Sequence, residues 1–170
     1  MLRKFTKLLL IFAVFVLIGL PAVSSATAWT ITVHTPVPSS WRNGQVVFMV
    51  QVDLLSDGSD LAEFSLADEM ATDIGAQQAE WWIDRMSGGV LYELVTDPGV
   101  EPDSTYTLAF DGTYGASLLD IAAASATVTE RTSFSKDLGY SPIFWEDLDI
   151  DIGDIGTSGD STTLYIFIVK

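Results

Sequence analysis

Gln45-Val46-Val47-Phe48-Met49-Val50-Gln51-Val52-Asp53-Leu54-Leu55 is the stretch that decides the fold. Val46, Val47, Phe48, Met49, Val50 and Val52 combine β-branched, aromatic and apolar side chains with almost no polar interruption. Such a run reads as a central strand covered on both faces. Asn43-Gly44 supplies turn chemistry before it, and Asp57-Gly58-Ser59-Asp60 closes it. Working outward, Trp29-Thr30-Ile31-Thr32-Val33-His34 alternates apolar and polar residues with period two and stops at Pro36 and Pro38. Thr162 to Val169 is the clearest C-terminal strand, and Thr105 to Phe110, turned by Asp111-Gly112, is another.

The remaining segments fill in the same pattern. Phe64 and Leu66 restart a short strand, and Ala126 to Thr132 and Asp147 to Ile152 read as two more. Ala79 to Met86 and Val90 to Val95 flank Ser87-Gly88-Gly89 and are expected to form a β-hairpin. Leu66 to Ile74 is a loop or one short helix, and the alanines of Leu118 to Ala124 favour a second. Many short strands separated by Gly, Pro and Asp turns predict an all-β chain. The expected class is an antiparallel, jelly-roll-like β-sandwich with at most one or two short helices.

The first 28 residues read as an address. Arg3, Lys4 and Lys7 precede an unbroken apolar run from Leu8 to Leu20, then Pro21 and the small residues Ala22 to Ala28. This is the layout of a secretory signal peptide, with a cut before Trp29 or after Ala26. The competing reading is a retained anchor, but 13 apolar residues rise only about 20 Å as a helix against a hydrocarbon core of ~30 Å. The expectation is therefore a signal peptide over residues 1–28 and a single exported β-sandwich domain over 29–170. Its location would be periplasmic, cell-surface or extracellular, without stable membrane insertion.

Composition removes whole classes of function. The 170 residues carry 8 Lys plus Arg against 23 Asp plus Glu, a formal charge of −15 that opposes binding to nucleic acid. Losing the leader would remove three basic residues and no acidic ones, making the remainder more acidic still. With no cysteine and a single histidine, His34, the chain has no disulfides, no thiol nucleophile and no His-rich metal site. No G-x-S-x-G elbow accompanies His34, Ser39 and Ser40, so a serine triad is not expected.

Two constellations are left. Asp147, Asp149 and Asp151 alternate with Leu148, Ile150 and Ile152, so a strand would set three carboxylates on one face as candidate Ca²⁺ ligands. Successive same-face residues stand ~7 Å apart, and the competing reading is a solvated face that discourages aggregation. Trp81 and Trp82 are candidate ligand-binding residues that could stack on sugar rings, beside Glu80 and Asp84. On one strand those two carboxylates would be ~13 Å apart, too far for a glycosidase pair without bending together. The competing reading puts one Trp in the core and the charges outside.

The segment Thr96-Asp97-Pro98-Gly99-Val100-Glu101-Pro102-Asp103-Ser104-Thr105-Tyr106-Thr107-Leu108-Ala109-Phe110-Asp111-Gly112, continuing through Tyr114-Gly115-Ala116-Ser117-Leu118-Leu119-Asp120, resembles small β-rich proteins encoded among phage structural genes. The likeness runs over roughly residues 80–170 and includes the closing strand after Gly156. The resemblance implies a β-rich structural protein and brings no catalytic residues; the leader departs from it. Taken together, the sequence is read as a non-enzymatic exported structural or adhesive β-sandwich, a surface or virion-like accessory component. Its partners would be further copies, joined through strand edges such as Trp29 to His34 and Thr162 to Val169, or a surface glycan. The alternative is a carbohydrate- or Ca²⁺-binding module, and a glycoside hydrolase stands third. No cofactor other than Ca²⁺ is expected.

Overall fold

A computed structural model describes residues 29–40, 44–58, 61–99, 105–112, 117–153, 155 and 157–170. The leader assigned to residues 1–28, Trp41, and the loop residues 100–104 lie outside them. In chain order the elements are β1 (Thr30–Val33), β2 (Val37–Ser40), β3 (Val46–Leu55), β4 (Leu61–Ser65), α1 (Leu66–Ile74), α2 (Ala76–Met86), β5 (Val90–Pro98), β6 (Tyr106–Gly112), β7 (Ser117–Ala124), β8 (Glu130–Ser133), β9 (Leu148–Gly153) and β10 (Ser161–Val169). A short π-helical turn, Phe134–Leu138, follows β8.

The strands form two antiparallel sheets. The larger runs β1-β3-β10-β5-β8, with β2 also paired to β3, and the smaller runs β4-β9-β6-β7. Strand alternation decides which side chains meet between them. From the larger sheet Phe48, Val50, Val52 and Leu54 of β3 point inward, with Leu164, Ile166 and Ile168 of β10 beside them. From the smaller come Phe64, Tyr106, Leu108, Phe110, Ile150 and Ile152, all in one continuous core. The expected antiparallel β-sandwich is the fold.

One polar contact crosses that core. The Tyr106 hydroxyl of the smaller sheet lies 2.9 Å from Thr162 Oγ1 of the larger, and Thr162 Oγ1 also donates to the Asp97 carbonyl. Both side chains are buried, so the bond satisfies groups that would otherwise be costly to dehydrate. Burial pushes the Tyr106 hydroxyl above its usual range, keeping it a neutral donor.

The expected hairpin at Ala79 to Met86 is instead the helix α2. Its buried residues, Ala79, Trp82 and Met86, fall at i, i+3 and i+7, one stripe of a helix, which outweighs the short-range alternation seen in the sequence. Gly75, at φ 89°, separates α2 from α1, a conformation that glycine adopts without strain. The Ser87 amide donates to the Ile83 carbonyl where α2 ends. Gly89 then lets the chain pass under β10: a Cβ there would stand 2.6 Å from Ile168 Cγ2 and 2.8 Å from the Met86 carbonyl.

Two further expectations are corrected. Leu118 to Ala124 is not helical but lies in β7, paired with β6. Its intrinsic helix preference, a few tenths of a kcal/mol per residue, yields to burial of Leu119 and Ala124 and to a ladder of backbone bonds. Thr162 to Val169 is a strand, but β3 and β10 pair on one side and β5 and β10 on the other. Both its hydrogen-bonding edges are consumed inside the sheet, so it offers no free edge to another copy.

Because Ile166 is buried at the centre of the longest ladder, Ile166→Ala should cost about 2–5 kcal/mol. Urea denaturation would show it as a lowered midpoint, and an unchanged midpoint would contradict this placement of β10.

Candidate functional site

The outer face of the larger sheet is a grid set by strand register. Across the strands, Asp53, Thr163 and Asp97 form one row; Gln51, Tyr165, Val95 and Arg131 the next; Met49, Phe167 and Glu93 the third. Val37 and Ser39 of β2 extend it beside Met49 and Val47. The alternation that buries the even-numbered residues of β3 and β10 sends these odd-numbered ones outward. Two aromatic side chains, Tyr165 and Phe167, therefore sit half-buried on the same face of the central strand, two residues apart.

Polar groups surround them. The Asp53 carboxylate accepts from His34 Nε2 at 2.6 Å, Gln51 Nε2 at 3.0 Å and Thr163 Oγ1 at 2.8 Å. Burial raises its pKa, but these hydrogen bonds and the His34 charge outweigh that and hold it below the usual carboxylate range. Thr129 Oγ1 donates to Asp97 at 2.6 Å, and Arg131 Nη1 pairs with Glu93 at 3.1 Å. Between β2 and β5 a groove of about 260 Å³ crosses the strands, lined by Ser39, Ser40, Val47, Tyr92, Glu93 and Phe167. It thus joins apolar and aromatic surface to hydroxyl and carboxylate groups. The sequence reading did not single out Tyr165, Phe167 or Tyr92; the period-two pattern of Thr162 to Val169 held the signal, once one knew which face stayed open.

The aspartate row divides between two environments. Asp149 and Asp151 do lie on β9 with Leu148, Ile150 and Ile152 turned inward. Their cross-strand neighbours add Asp111 opposite Asp149 and Glu63 opposite Asp151. Burial and these nearby carboxylates raise the pKa of both Asp149 and Asp151. Asp147 precedes the strand, beyond Glu146, whose φ of 59° bends the chain sharply. Its Oδ1 accepts from the amides of Ala67 and Leu148, and its Oδ2 from Ser65 Oγ at 2.7 Å. Asp147 thus serves the N-terminus of α1, where a negative charge suits the exposed amides and the helix dipole. Among the described residues, no three His, Asp or Glu side chains are placed to hold a metal ion.

Trp81 and Trp82 have different surroundings as well. Trp82 is 8% exposed and meets Phe48 edge to face, with ring centroids 6.3 Å apart. Trp81 is 51% exposed, and the Arg85 guanidinium lies 4.6 Å from its ring centroid. Glu80 and Asp84 stand one helical turn apart on α2; Asp84 lines a cleft of about 400 Å³ with Val46, Phe48, Arg85 and Lys170. No helix among the described residues is long and apolar enough to cross a membrane.

No protein-family model matches the sequence, and no curated protein matches it either. Solved structures give only distant likenesses. A CBM4 structure matches at 8% identity and a TM-score of 0.29, covering 90% of this chain and 94% of its own. A family 35 carbohydrate binding module from Clostridium thermocellum matches at 6% and 0.24, covering 83% and 97%. The enzymatically active domain of tailspike protein 4 from bacteriophage CBA120 matches at 9% and 0.27, covering 86% of this chain and 20% of that one. At such scores none carries an argument about this chain, whose fold rests on its own strand pairing.

Asp147→Ala should lower stability by about 1–2 kcal/mol through loss of the cap, seen as a lower melting temperature in Ca²⁺ or chelator alike. A Ca²⁺-dependent difference would instead give Asp147 a metal. For Asp149 and Asp151 the folded-state pKa is raised, so the stability linked to their protonation is complete below the unfolded value, near 3.9, and lost as pH rises through the folded one. Asp149→Asn and Asp151→Asn should therefore raise the melting temperature at pH 7 and have little effect near pH 3. A pH-independent change would point to packing and not charge.

Proposed function

We propose that this chain is a non-catalytic, exported adhesive module that binds neutral glycans across the outer face of its larger sheet. The observation that carries the reading is the pair Tyr165 and Phe167, set side by side on an outward face and flanked by Gln51, Asp53, Glu93 and Arg131. A sugar ring presents C–H groups on one face and hydroxyls around its rim. Aromatic rings suit the first, and amide, carboxylate and guanidinium groups suit the second. Because the sheet fixes the spacing of these groups through backbone hydrogen bonds, little order would have to be imposed on binding.

Charge selects the glycan class. A chain with formal charge −15 repels polyanions at long range, so neutral polysaccharides fit better than sulfated or uronate-rich ones. Export belongs to the same proposal and rests on the leader read in residues 1–28. Strand-edge assembly fits less well. β2 is exposed throughout but carries Pro38, and Pro36 precedes it; proline blunts an edge because it cannot donate to a new ladder.

The test is affinity electrophoresis and calorimetry against a panel of neutral and acidic polysaccharides, with Tyr165→Ala and Phe167→Ala. Each substitution should weaken binding about 3–10-fold and the pair should abolish detectable retention, with the fold unchanged by circular dichroism. Binding confined to acidic glycans, or retained in full by the double variant, would overturn the proposal.

A further inference from the structure

On the opposite side of β3 from that groove lies the cleft lined by Val46, Phe48, Asp84, Arg85 and Lys170, about 400 Å³ in volume. Cations are scarce in this chain, with 8 Lys plus Arg in all and three of them in the leader. Two of the remaining five converge here, across an apolar floor of Val46 and Phe48.

Their hydrogen-bonding capacity is only partly used. The Arg85 guanidinium lies over the Trp81 ring, 4.6 Å from its centroid, and among the described residues it has no carboxylate within ion-pairing distance. Lys170 Nζ donates to the Ser87 carbonyl at 2.6 Å, which occupies one of its three donors. Trp82, packed on Phe48, has its indole N–H buried with no acceptor among the described residues, an arrangement that ordinarily costs free energy. Arg85 and Lys170 thus line one apolar pocket together with Asp84, and Trp82 packs on the Phe48 ring of its floor.

We propose that this cleft binds a small organic carboxylate with an apolar body, the carboxylate facing Arg85 and Lys170 and the apolar part lying on Val46 and Phe48. A guanidinium held over an indole still offers a fork of N–H donors, which suits a planar carboxylate better than an ammonium alone would. This site is separate from the glycan-binding face and does not rest on that proposal.

The experiment is an NMR titration of the chain with phenylacetate and with phenylacetamide, its uncharged isostere. Phenylacetate should saturate, shift the Trp82 indole N–H signal, and bind about ten-fold more tightly than the amide. Arg85→Gln should weaken phenylacetate about five-fold or more, whereas Asp84→Asn should tighten it about two-fold by removing the like charge. Both residues are on the surface of α2, and thermal melts of the variants check that the fold persists. No saturation by tens of millimolar, equal binding of acid and amide, or an Arg85→Gln variant that binds as well as the parent would each overturn the proposal.

Discussion

The register between β3 and β10, from Leu55 opposite Ser161 to Val47 opposite Val169, is the constraint on which the rest of the molecule depends. Side chains alternate with a period of two, so slipping β3 by one residue against β10 would send Val50 and Val52 to solvent and bring Gln51 and Asp53 into the core. Burying those polar groups would cost several kcal/mol, which leaves only one register open. The same ladder holds β5 through β10 and β1 and β2 through β3, so the position of every strand in the larger sheet follows from it.

That constraint also creates the outer face. Once the even-numbered residues of β3 and β10 are committed to the core, the odd-numbered ones must be displayed together. Tyr165 and Phe167 are then placed by the ladder and not by any loop, and Asp53 is held by donors from β1's end, β3 and β10 at once. Rigid display of this kind suits recognition with small entropic cost. The smaller sheet shows the opposite design on its outer face. Asp149 and Asp151 sit among Asp111 and Glu63, a concentration of like charge that opposes stacking of one molecule on another.

The helices show where local pattern and tertiary demand part company. α1 begins at Ser65, whose hydroxyl accepts from the Asp68 amide, and this much is ordinary sequence chemistry. Its second cap comes from Asp147, 80 residues away from Ala67, and no reading of local sequence could supply that partner. Trp81 and Trp82 make the same point. As strand neighbours they would face opposite sides, whereas on α2 they are 100° apart, one in the core against Phe48 and one over the Arg85 guanidinium.

The sequence by itself determined the class of fold, because period-two patterns and Gly, Pro and Asp turns are local consequences of strand geometry. It also determined the strong acidity of the chain, and the inward side of β9, where Leu148, Ile150 and Ile152 alternate with aspartates. Only the tertiary structure decided that Thr162 to Val169 is an inner strand, that Asp147 caps a helix, and that Leu118 to Ala124 extends a sheet against its own helix propensity. Each of those outcomes depends on which segments lie side by side. Pairing between residues far apart in the chain is set by the burial of whole faces, an energy summed over many side chains and invisible in any one stretch.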